Sequence, residues 1–473
     1  MMNFLDVARG AYVRSPPAVR RLLAPMLALA PTRVKFGATY RAWRSRIAKA
    51  AEDPVYAGQF HLAALRALLQ KAHAGSPFYR ESIDQALGPG FDLSTLGLAD
   101  LRRLPVLSKD ILRAAGTAAL AVPIAQLDEA SGNGSSTDKP FRFYLDKDRS
   151  AREMAFVYHV WSRIGYDEDT ARVCFRGFSL DATGKRLHEW DPALRELRFS
   201  VFPMTVDDAD AYLDLIDARG ITYFYGYPSA IELFCRHLRV LDRVPKRPVK
   251  GMMMISEPVH PHQREIVRSV LGSVPLSCFY GLSEKVLFAE ETPGAPGSYA
   301  FNPLYGLAEL VDAAGEPVTH AGKEGRLVGT GFLSTGMPFI RYDTGDSARL
   351  VELPNEANGQ RLRVEAIMPR RNVDYLVTAD GSRVVTTHLV PDGAGFFDGI
   401  EELQFYQDQP GEVLIRYIPT AGAAPACGAR LAETLVNRTN GRIRFCLKAV
   451  DRIAAGRGGK RALINQQLDM SRY

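Results

Sequence analysis

Residues 221–285 read "ITYFYGYPSAIELFCRHLRVLDRVPKRPVKGMMMISEPVHPHQREIVRSVLGSVPLSCFYGLSEK" and alternate between two patterns. The short apolar runs "ITYFYG", "GMMMIS" and "LSCFYG" predict strands, and the segments between them carry apolar residues at helical spacing. Apolar strands that are separated by helices are typical of a parallel sheet with both faces covered. The stretch therefore predicts an α/β fold built on a doubly wound sheet.

The flanking sequence on the N-terminal side is mainly helical. "QFHLAALRALLQKAHAGSPFY" has helical spacing and stops at Gly-Ser-Pro, "DRSAREMAFVYHVWSRIG" predicts a helix with Gly165 past its end, and "DDADAYLDLIDARG" predicts another. After about residue 300 the pattern changes, because "LAELVD", "GRLVGTGFL", "SARLVEL" and "RLRVEAI" predict strands without long helices between them. A β-rich portion therefore follows the α/β part.

The last hundred residues predict a small α+β domain. Two strands, "ELQFYQD" and "EVLIRYI", precede the helix "GARLAETLVNRTN" and the strand "RIRFCLKAV", and Asp380-Gly381 predicts a hairpin turn. At 473 residues the chain is too long for a single core. We expect a basic helical extension over residues 1–50, a large domain over 51–369 and a small domain over 370–473.

Composition indicates a globular protein, with 46% hydrophobic and 24% charged residues. The five cysteines lie far apart and include no Cys-x-x-Cys pair, which favours free thiols in a reducing compartment. The longest apolar run near the N-terminus, "LLAPMLALA", is about half of what a bilayer requires. We expect a cytoplasmic protein without a membrane span.

The basic charge is concentrated at the N-terminus. Residues 1–50 carry ten Lys or Arg and one acid, a net charge of +9, whereas the whole chain is +6 and the remainder therefore −3. This distribution does not favour a nucleic-acid partner. The segment "RSPPAVRRLLAPMLALAPTRVKFG" fits either contact with an anionic membrane surface or acidic partner, or a partly buried helix with a solvated basic face.

Three polar clusters follow predicted strands, which is where open α/β sheets bind ligands. They are "SEPV" at 256–259, "YGLSEK" at 280–285 and "RYDTGD" at 341–346. A Tyr-Gly pair lets a ring lie on a flat base, a Ser-Glu pair can bond a phosphate and hold its Mg²⁺, and an aspartate can accept both ribose hydroxyls. Each cluster taken alone also fits an ordinary turn.

A fourth polar segment, "SGNGSSTDKP" at 131–140, consists almost entirely of small polar residues and ends in Lys139-Pro140. Such a segment is either a surface loop or a backbone nest for an anion.

In this order the segments resemble the motif series of the adenylate-forming (acyl-adenylate) enzymes, from about residue 55 to the C-terminus. The series is completed by "RRNVDYLVTADG" and a late "GGK". "LPVLSKDIL", "ISEPV", "FYGLSEKVLFAEE" and "MPFIRYDTGD" are similar to the phenylacetate–CoA ligase branch, and the basic N-terminus with "FRFYLDKDRSAREMAFVYHVWSRIGY" is similar to its CapK-like subgroup. The resemblance implies a large N-terminal domain and a small mobile C-terminal domain.

The resemblance also implies roles for particular residues, with ATP and Mg²⁺ as the cofactors. Ser256, Glu257, Pro258, Tyr280 and Gly281 would line the adenine pocket. The remaining residues would contact phosphate, metal or ribose: Ser135, Ser136, Thr137 and Lys139 in the loop, Ser283 at the α-phosphate, Glu284 at Mg²⁺, Asp346 at the ribose, Arg371 near ribose and phosphate, and Lys460 between carboxylate and α-phosphate. For Lys460 the alternative is a solvated lysine beside two arginines.

Two motifs depart from the family pattern. In the loop, Ser135 and Asp138 replace glycines, and Asp138 places a negative charge near the β- and γ-phosphates. In the hinge motif, Arg370 and Val373 replace the usual glycine and first aspartate. These departures bear on whether the chain is an active enzyme.

Two classes of function follow. The first is an ATP-dependent ligase that converts a carboxylic acid to an acyl-AMP. After the C-terminal domain rotates, it passes the acyl group to coenzyme A or to an amine or hydroxyl acceptor. The resemblance to the CapK-like subgroup suggests that an amine or hydroxyl acceptor lies on a surface glycan. The second is an adenylation-defective nucleotide-binding or scaffold protein. Tyr225, Gly226 and Tyr227 either line the acid pocket or pack a strand end. Relatives of the phenylacetate type imply a homodimer.

Overall fold

The computed structural model describes residues 19, 31–132, 141–176, 180, 187–192, 194–201, 204–368, 375–385, 389, 399–420, 427–439, 441–453 and 464–469. Of the first 30 residues in the predicted basic extension, only Val19 is among them.

The α-helices of the described residues are α1 Thr32–Lys35, α2 Gly37–Glu52, α3 Pro54–Gly75, α4 Pro77–Leu87, α5 Leu98–Arg103, α6 Lys109–Ala115, α7 Arg149–Ser162, α8 Val206–Arg219, α9 Pro228–Leu241, α10 Pro261–Leu271 and α11 Cys427–Arg438. The strands are β1 Leu127–Gly132, β2 Phe141–Asp146, β3 Arg172–Phe175, β4 His188–Asp191, β5 Glu196–Phe199, β6 Tyr223–Gly226, β7 Gly251–Met254, β8 Leu276–Gly281, β9 Phe288–Glu291, β10 Ser298–Phe301, β11 Gly306–Val311, β12 Glu324–Gly331, β13 Tyr342–Glu352, β14 Arg363–Met368, β15 Tyr375–Val377, β16 Arg383–Val385, β17 Ile400–Gln409, β18 Glu412–Pro419, β19 Arg444–Ala449 and β20 Ile464–Gln466.

The chain divides into two compact units. The first is formed by Met1–Ala130, Arg142–Glu168 and Ser277–Arg370, and the second by Ser131–Phe141, Asp169–Leu276 and Arg371–Tyr473. The predicted domain boundaries at residues 50 and 369 stay a prediction.

The α/β part of the second unit confirms the predicted parallel sheet. Its strands run in the order β7-β6-β3-β5-β4, and every neighbouring pair is parallel except β4 with β5 at the edge. The helices α8, α9 and α10 occur where the sequence predicts them. Helix α8 begins with a capping box between Thr205 and Asp208, and α9 begins at Pro228 because a proline tolerates the first helical position.

The first unit holds the β-rich portion, whose strands run in the order β11-β12-β13-β14-β10-β9-β8 and pair antiparallel throughout. One expectation is corrected here. The sequence predicts that "RYDTGD" follows a strand, but five of its six residues form the beginning of β13. The preceding segment "STGMPFI" turns the chain between β12 and β13, so the aspartates of the motif belong to a strand.

The C-terminal part of the second unit has the predicted α+β composition. Four of its strands form a sheet of order β19-β18-β17-β20. Helix α11 and this sheet share one hydrophobic core, in which the side chains of Phe405, Ile415 and Leu435 are fully buried. The hairpin β15–β16 turns at Asp380-Gly381 as predicted, because Gly381 adopts a φ of 83°. The fold class predicted from the sequence is therefore confirmed.

The described part of the basic extension is helical with one buried face. Helix α2 buries Tyr40, Trp43 and Ile47 in the first unit, and the Tyr40 hydroxyl donates a hydrogen bond to the Glu168 carboxylate. Its basic residues Arg41, Arg46 and Lys49 are exposed, whereas Arg44 is half-buried. None of the described helices combines the length and the apolar character that crossing a bilayer requires. All five cysteines are free thiols, as the sequence predicts.

Candidate active site

The turn after β8 carries the first group of predicted site residues. Tyr280 and Gly281 are the last residues of the strand, and Ser283 and Glu284 form the turn that follows. Lys285 closes the turn with a positive φ of 58°, and its ammonium group is held by the Glu153 carboxylate of α7 at 2.7 Å. A positive φ is costly for a residue with a side chain, so this turn conformation is one that the surrounding contacts must hold in place.

Glu284 is buried between two donors. Its Oε1 lies 3.1 Å from the Lys109 ammonium nitrogen and accepts a 2.8 Å hydrogen bond from the Tyr342 hydroxyl. Burial by itself would raise the pKa of Glu284, but the Lys109 charge and the Tyr342 hydrogen bond hold that pKa below its usual value. Glu284 is therefore an ionised carboxylate at neutral pH, which the predicted role as a metal ligand requires.

Lys109 reaches Glu284 because the "RYDTGD" segment anchors the chain before α6. The Leu107 N–H donates to the Arg341 carbonyl at 2.8 Å, and the Asp343 N–H donates to the Leu107 carbonyl at 2.9 Å. The buried Arg341 guanidinium also donates to the Leu104 carbonyl and pairs with Glu309. These contacts fix the position at which α6 starts, and Lys109 is its first residue.

Tyr280 and Asp346 form the second contact of this group. The Tyr280 hydroxyl donates a 2.6 Å hydrogen bond to Oδ2 of Asp346, which is only 8% exposed. Burial, together with the Asp346 charge, raises the pKa of Tyr280 well above its usual value, so Tyr280 remains a hydrogen-bond donor. The carboxylate predicted to bind ribose is thus oriented by the tyrosine predicted to contact adenine.

The "SEP" residues lie in the second unit, directly after β7. Ser256 is exposed and adopts a φ of 67°, whereas the Glu257 carboxylate accepts hydrogen bonds from the N–H and the hydroxyl of Ser229, both at 3.1 Å. Ser229 is the second residue of α9, so a carboxylate occupies the start of that helix. Burial raises the pKa of Glu257 to about 7, more than the Ser229 hydrogen bonds lower it.

The candidate acid-pocket residues end β6 in the same unit. Gly226 lies against the neighbouring strand, where an added Cβ would come within 2.2 Å of the Phe175 carbonyl oxygen. The side chains of Tyr225 and Tyr227 both approach Arg176, whose Cζ lies 5.8 Å from each ring centroid. Close packing of the two strands therefore requires a glycine at position 226, and both tyrosines lie near the positive charge of Arg176.

Six of the predicted site residues lie outside the described residues. They are Ser135, Ser136, Thr137 and Lys139 of the loop between β1 and β2, Arg371 in the hinge motif, and Lys460. The departures at Asp138, Arg370 and Val373 also lie there, so the roles of all these residues stay predictions.

The structure thus brings Tyr280, Glu284 and Asp346 into one group of contacts within the first unit, whereas Ser256 and Glu257 lie in the second. Sequence reasoning assigned no role to Lys109 or Tyr342. Both lie in segments quoted for the family resemblance, "LPVLSKDIL" and "MPFIRYDTGD", and that position was the signal that could have identified them.

Glu284 supplies one carboxylate, the type of ligand that Mg²⁺ takes in nucleotide-binding enzymes. Mg²⁺ at such sites is held by one or two carboxylates together with substrate phosphates. Among the residues that the structure describes, no cluster of three or more His, Cys, Asp or Glu side chains is arranged for a metal ion. Glu284 would therefore be one ligand of such an ion, with phosphate oxygens of a bound nucleotide as others.

Comparison with known proteins identifies the class of fold. No protein-family model matches it. Its fold is similar to that of 2-hydroxyisobutyryl-CoA ligase in complex with 2-HIB-AMP and CoA, with a TM-score of 0.54 and 19% identity over 87% of this chain and 90% of that one. The chain thus has the fold of this CoA ligase.

Sequence comparison names relatives within that class. The chain is 22% identical to protein CapK of Staphylococcus aureus over 394 residues, which are 82% of this chain and 84% of that protein. It is 27% identical over 332 residues to the phenylacetate–coenzyme A ligase of Thermus thermophilus, covering 69% and 72%, and 25% identical over 335 residues to that of Aromatoleum evansii, covering 67% and 70%. The chain is a homologue of CapK and of the phenylacetate–coenzyme A ligases, as its motifs predict.

Proposed function

We propose that this protein is an ATP-dependent ligase that activates a carboxylic acid as an acyl-adenylate and then transfers the acyl group. The observation that carries the proposal is the buried group of contacts in the first unit. An ionised Glu284 lies beside Lys109, and an oriented Asp346 lies beside Tyr280. In a homologue of acid-activating ligases, these are the groups needed to hold a nucleotide's metal, phosphates and ribose.

Each side chain has a distinct task in adenylation. Asp346, aligned by the Tyr280 hydroxyl, accepts the ribose hydroxyls, and Ser283 donates to the α-phosphate. Glu284 is the metal ligand, and Mg²⁺ when bound would screen phosphate charge and help pyrophosphate to leave. Lys109, whose Nζ lies 3.1 Å from Glu284, adds a positive charge at the same place.

Lys460 and Arg371 complete the proposed machinery. A carboxylate that attacks an α-phosphate brings two anions together, and charge accumulates on the phosphoryl oxygens in the transition state. Lys460 would neutralise both groups, and Arg371 would lie near ribose and phosphate. The loop residues Ser135, Ser136, Thr137 and Lys139 would hold the outer phosphates. We expect rotation of the small domain about the Arg370–Asp374 segment to end this step.

The relatives support two candidate classes of acceptor. The phenylacetate ligases and the 2-hydroxyisobutyryl-CoA ligase are named for coenzyme A, which supports a thiol acceptor. Similarity to CapK over most of both chains keeps an amine or hydroxyl acceptor on a surface glycan as the other candidate. ATP as a substrate and five free thiols support a cytoplasmic location, with contact to the inner membrane face through residues 1–50 as a further proposal.

A second candidate function is a nucleotide-binding scaffold that has lost adenylation. Asp138 favours it, because a carboxylate in the phosphate loop would repel the β- and γ-phosphates. The ionised Glu284 and the late Lys460 oppose it, since a protein that only binds has no need of a residue that screens the attacking acid.

Pyrophosphate release from ATP and Mg²⁺ across a panel of aryl, fatty, amino and hydroxy acids tests the proposal. Lys460→Ala serves as the inactive variant, and Lys448→Ala is the matched control because Lys448 is an exposed lysine of the same C-terminal region. We expect release with one class of acid, lost in Lys460→Ala and retained in Lys448→Ala. Release that survives in Lys460→Ala would refute the mechanism. If no acid of the panel releases pyrophosphate and the protein does not bind a non-hydrolysable acyl-AMP mimic, the result would favour the scaffold function.

A further inference from the structure

Arg176 lies where two parallel strands of the second unit end side by side. Cys174 pairs with Tyr225 and Phe175 with Gly226, and the Tyr227 N–H donates to the Phe175 carbonyl at 3.0 Å. The two strands approach each other more closely than a side chain at position 226 would allow, because a Cβ added to Gly226 would lie 2.2 Å from the Phe175 carbonyl oxygen. Arg176 and Tyr227 therefore follow β3 and β6 at the same edge of the sheet, the edge at which open α/β sheets bind their ligands.

The Arg176 guanidinium lies against both tyrosines of the predicted acid pocket. Its Nη1 donates a hydrogen bond to the Tyr225 hydroxyl at 3.3 Å, and its Cζ lies 5.8 Å from the centroids of both rings. Burial raises the pKa of Tyr225 to about 12, although Arg176 by itself would lower it. At neutral pH the Tyr225 phenol therefore keeps its proton beside the Arg176 cation, and its hydroxyl can both accept and donate hydrogen bonds.

Charged residues of the neighbouring strands β3, β4 and β5 form ion pairs with one another. Glu196 lies between Arg172 and Arg198, with the Arg172 Nη2 at 2.6 Å from its Oε1, and Asp191 lies 2.6 Å from Arg198. Burial raises the pKa of Glu196, but the charge of Arg172 and then that of Arg198 lower it below its usual value, so the carboxylate stays ionised and paired. Arg172 also lies 5.1 Å from the Tyr225 ring, so two guanidinium groups flank this phenol.

A further cationic residue adds to the electropositive character of this edge. Arg438, the last residue of α11 in the same unit, interacts electrostatically with Tyr227. A guanidinium forms its strongest hydrogen bonds with anionic oxygen acceptors, in charge-assisted and often bidentate pairs, and phenol hydroxyls are weaker acceptors. The chemistry that complements Arg176, Tyr225 and Tyr227 is therefore a small oxyanion presented on an aromatic or flat aliphatic body.

We propose that Arg176, with the hydroxyls of Tyr225 and Tyr227, binds a second anionic group on the acid that is activated. The substrate class is a dicarboxylic acid, or a carboxylic acid that bears a sulfonate or phosphate, with one carboxylate left for adenylation. This inference rests on the proposed ligase function and deepens it. Arg176 is a specificity-determining residue, since it binds the end of the acid that does not react.

Matched acids separate this role from simple support of the two tyrosines. Benzene-1,3-dicarboxylate and 1,4-dicarboxylate, glutarate, and 3-sulfobenzoate and 3-phosphobenzoate are each compared with the same acid in which only the second anionic group is converted to a neutral methyl ester (two methyl groups for phosphate) or amide. This derivative is the neutral member of the pair, and it keeps the carboxylate that reacts. Pyrophosphate release is measured with wild type, Arg176→Met, Arg176→Lys and Tyr225→Phe. Arg239→Met is the control, because Arg239 is an exposed arginine on α9 of the same unit.

We expect wild type to prefer the anionic member of at least one pair by about 10- to 100-fold in kcat/KM, the ratio that a hydrogen bond to a charged group supports. Arg176→Met should abolish that preference mainly through KM for the acid, and leave KM for ATP unchanged. Arg176→Lys should restore part of it, Tyr225→Phe should reduce it about threefold to tenfold, and Arg239→Met should match wild type. Preference for the neutral member of every pair, or a preference that persists in Arg176→Met, would overturn the inference.

A binding measurement keeps this result distinct from failure of the ligase proposal. The same acids at millimolar concentration, without ATP, are tested for a rise in Tm of wild type and of Arg176→Met. If no acid releases pyrophosphate but the anionic members raise the Tm of wild type and not of Arg176→Met, the anion site stands and the ligase proposal fails alone. If the anionic members neither raise the Tm nor release pyrophosphate, the inference is wrong. A folding defect in Arg176→Met would appear as a lowered Tm without ligand, in which case Arg176→Lys and Tyr225→Phe decide.

Discussion

Removal of the Lys109 ammonium group should destabilise the protein in a way that depends on pH. The Lys109 and Glu284 side chains are only 13% and 5% exposed, and their charged atoms lie 3.1 Å apart. Lys109→Met keeps an unbranched apolar side chain about as long as the lysine stem and removes the ammonium group. Glu284 would then be a buried carboxylate that keeps the Tyr342 hydroxyl and its own backbone N–H as donors but has lost its charged partner.

The expected size follows from that geometry. Removing one partner of a buried ion pair costs about 3–5 kcal/mol because the other charge is left uncompensated. Lys109 retains a little solvent contact and Tyr342 still donates at 2.8 Å, so we expect about 3 kcal/mol, the lower end of that range. The double variant Lys109→Met/Glu284→Gln removes both charges and should lose about 1 kcal/mol, so we expect it to be about 2 kcal/mol more stable than Lys109→Met.

The direction of the pH dependence is also determined. In wild type the pKa of Glu284 is lowered, so the pair's stabilisation is present above the pKa of an unfolded glutamate and is lost as the pH falls through the folded value. In Lys109→Met burial dominates and raises that pKa, so the variant loses stability as the pH rises. The difference between the two proteins should therefore be largest at pH 8 and shrink towards pH 5.

Urea unfolding followed by tryptophan fluorescence at pH 5, 6, 7 and 8 measures this difference. Two of the three tryptophans, Trp43 and Trp161, are buried in the first unit, which also holds the Lys109–Glu284 pair. Lys448→Met is the control for loss of an exposed lysine. A Lys109→Met protein as stable as wild type at pH 8, or a loss that is the same at all four pH values, would refute the reasoning. So would a double variant no more stable than Lys109→Met.

Three further outcomes follow from the described contacts. Tyr280→Phe removes the 2.6 Å hydrogen bond to the buried Asp346 and should raise KM for ATP about tenfold; an unchanged KM would argue against Asp346 as a nucleotide ligand. In wild type the raised Glu257 pKa of about 7 means that the stability from the protonated carboxyl is lost as the pH rises through that value. Glu257→Gln has no such loss, so its Tm minus that of wild type should increase by about 1–3 °C from pH 6 to pH 8. A Tm difference that is constant with pH would contradict this. Gly226→Ala should destabilise the second unit by about 3 kcal/mol or more because its Cβ would lie 2.2 Å from the Phe175 carbonyl oxygen, and a normal Tm would show that the strands can separate there.

The candidate site was partly readable from the sequence because its motifs are short. Tyr280-Gly281, Ser283-Glu284 and Asp346 lie in runs of a few residues whose order along the chain resembles one enzyme class. Lys109 was not identified, because nothing near it in the sequence shows that it meets a glutamate 175 positions away. Arg176 received no role for the same reason, since its partner Tyr225 lies 49 residues further along the chain.

The sequence by itself determined the class of fold and the nature of its elements. Strand and helix patterns repeat within four to fourteen residues, so "PSAIELFCRHLRVL" predicts α9 and "GMMMIS" predicts β7 without knowledge of any neighbour. Only the tertiary structure decided that five residues of "RYDTGD" begin β13, and that the backbone pairing of Leu107 with Tyr342 brings Lys109 to Glu284. It also decided that Arg176 approaches the rings of both Tyr225 and Tyr227. Those contacts depend on which distant segments pair and in which register. The pKa values of these groups depend on desolvation and on neighbouring charges in the assembled fold. The local periodicity of the sequence contains no information about which distant segments pair or about these effects.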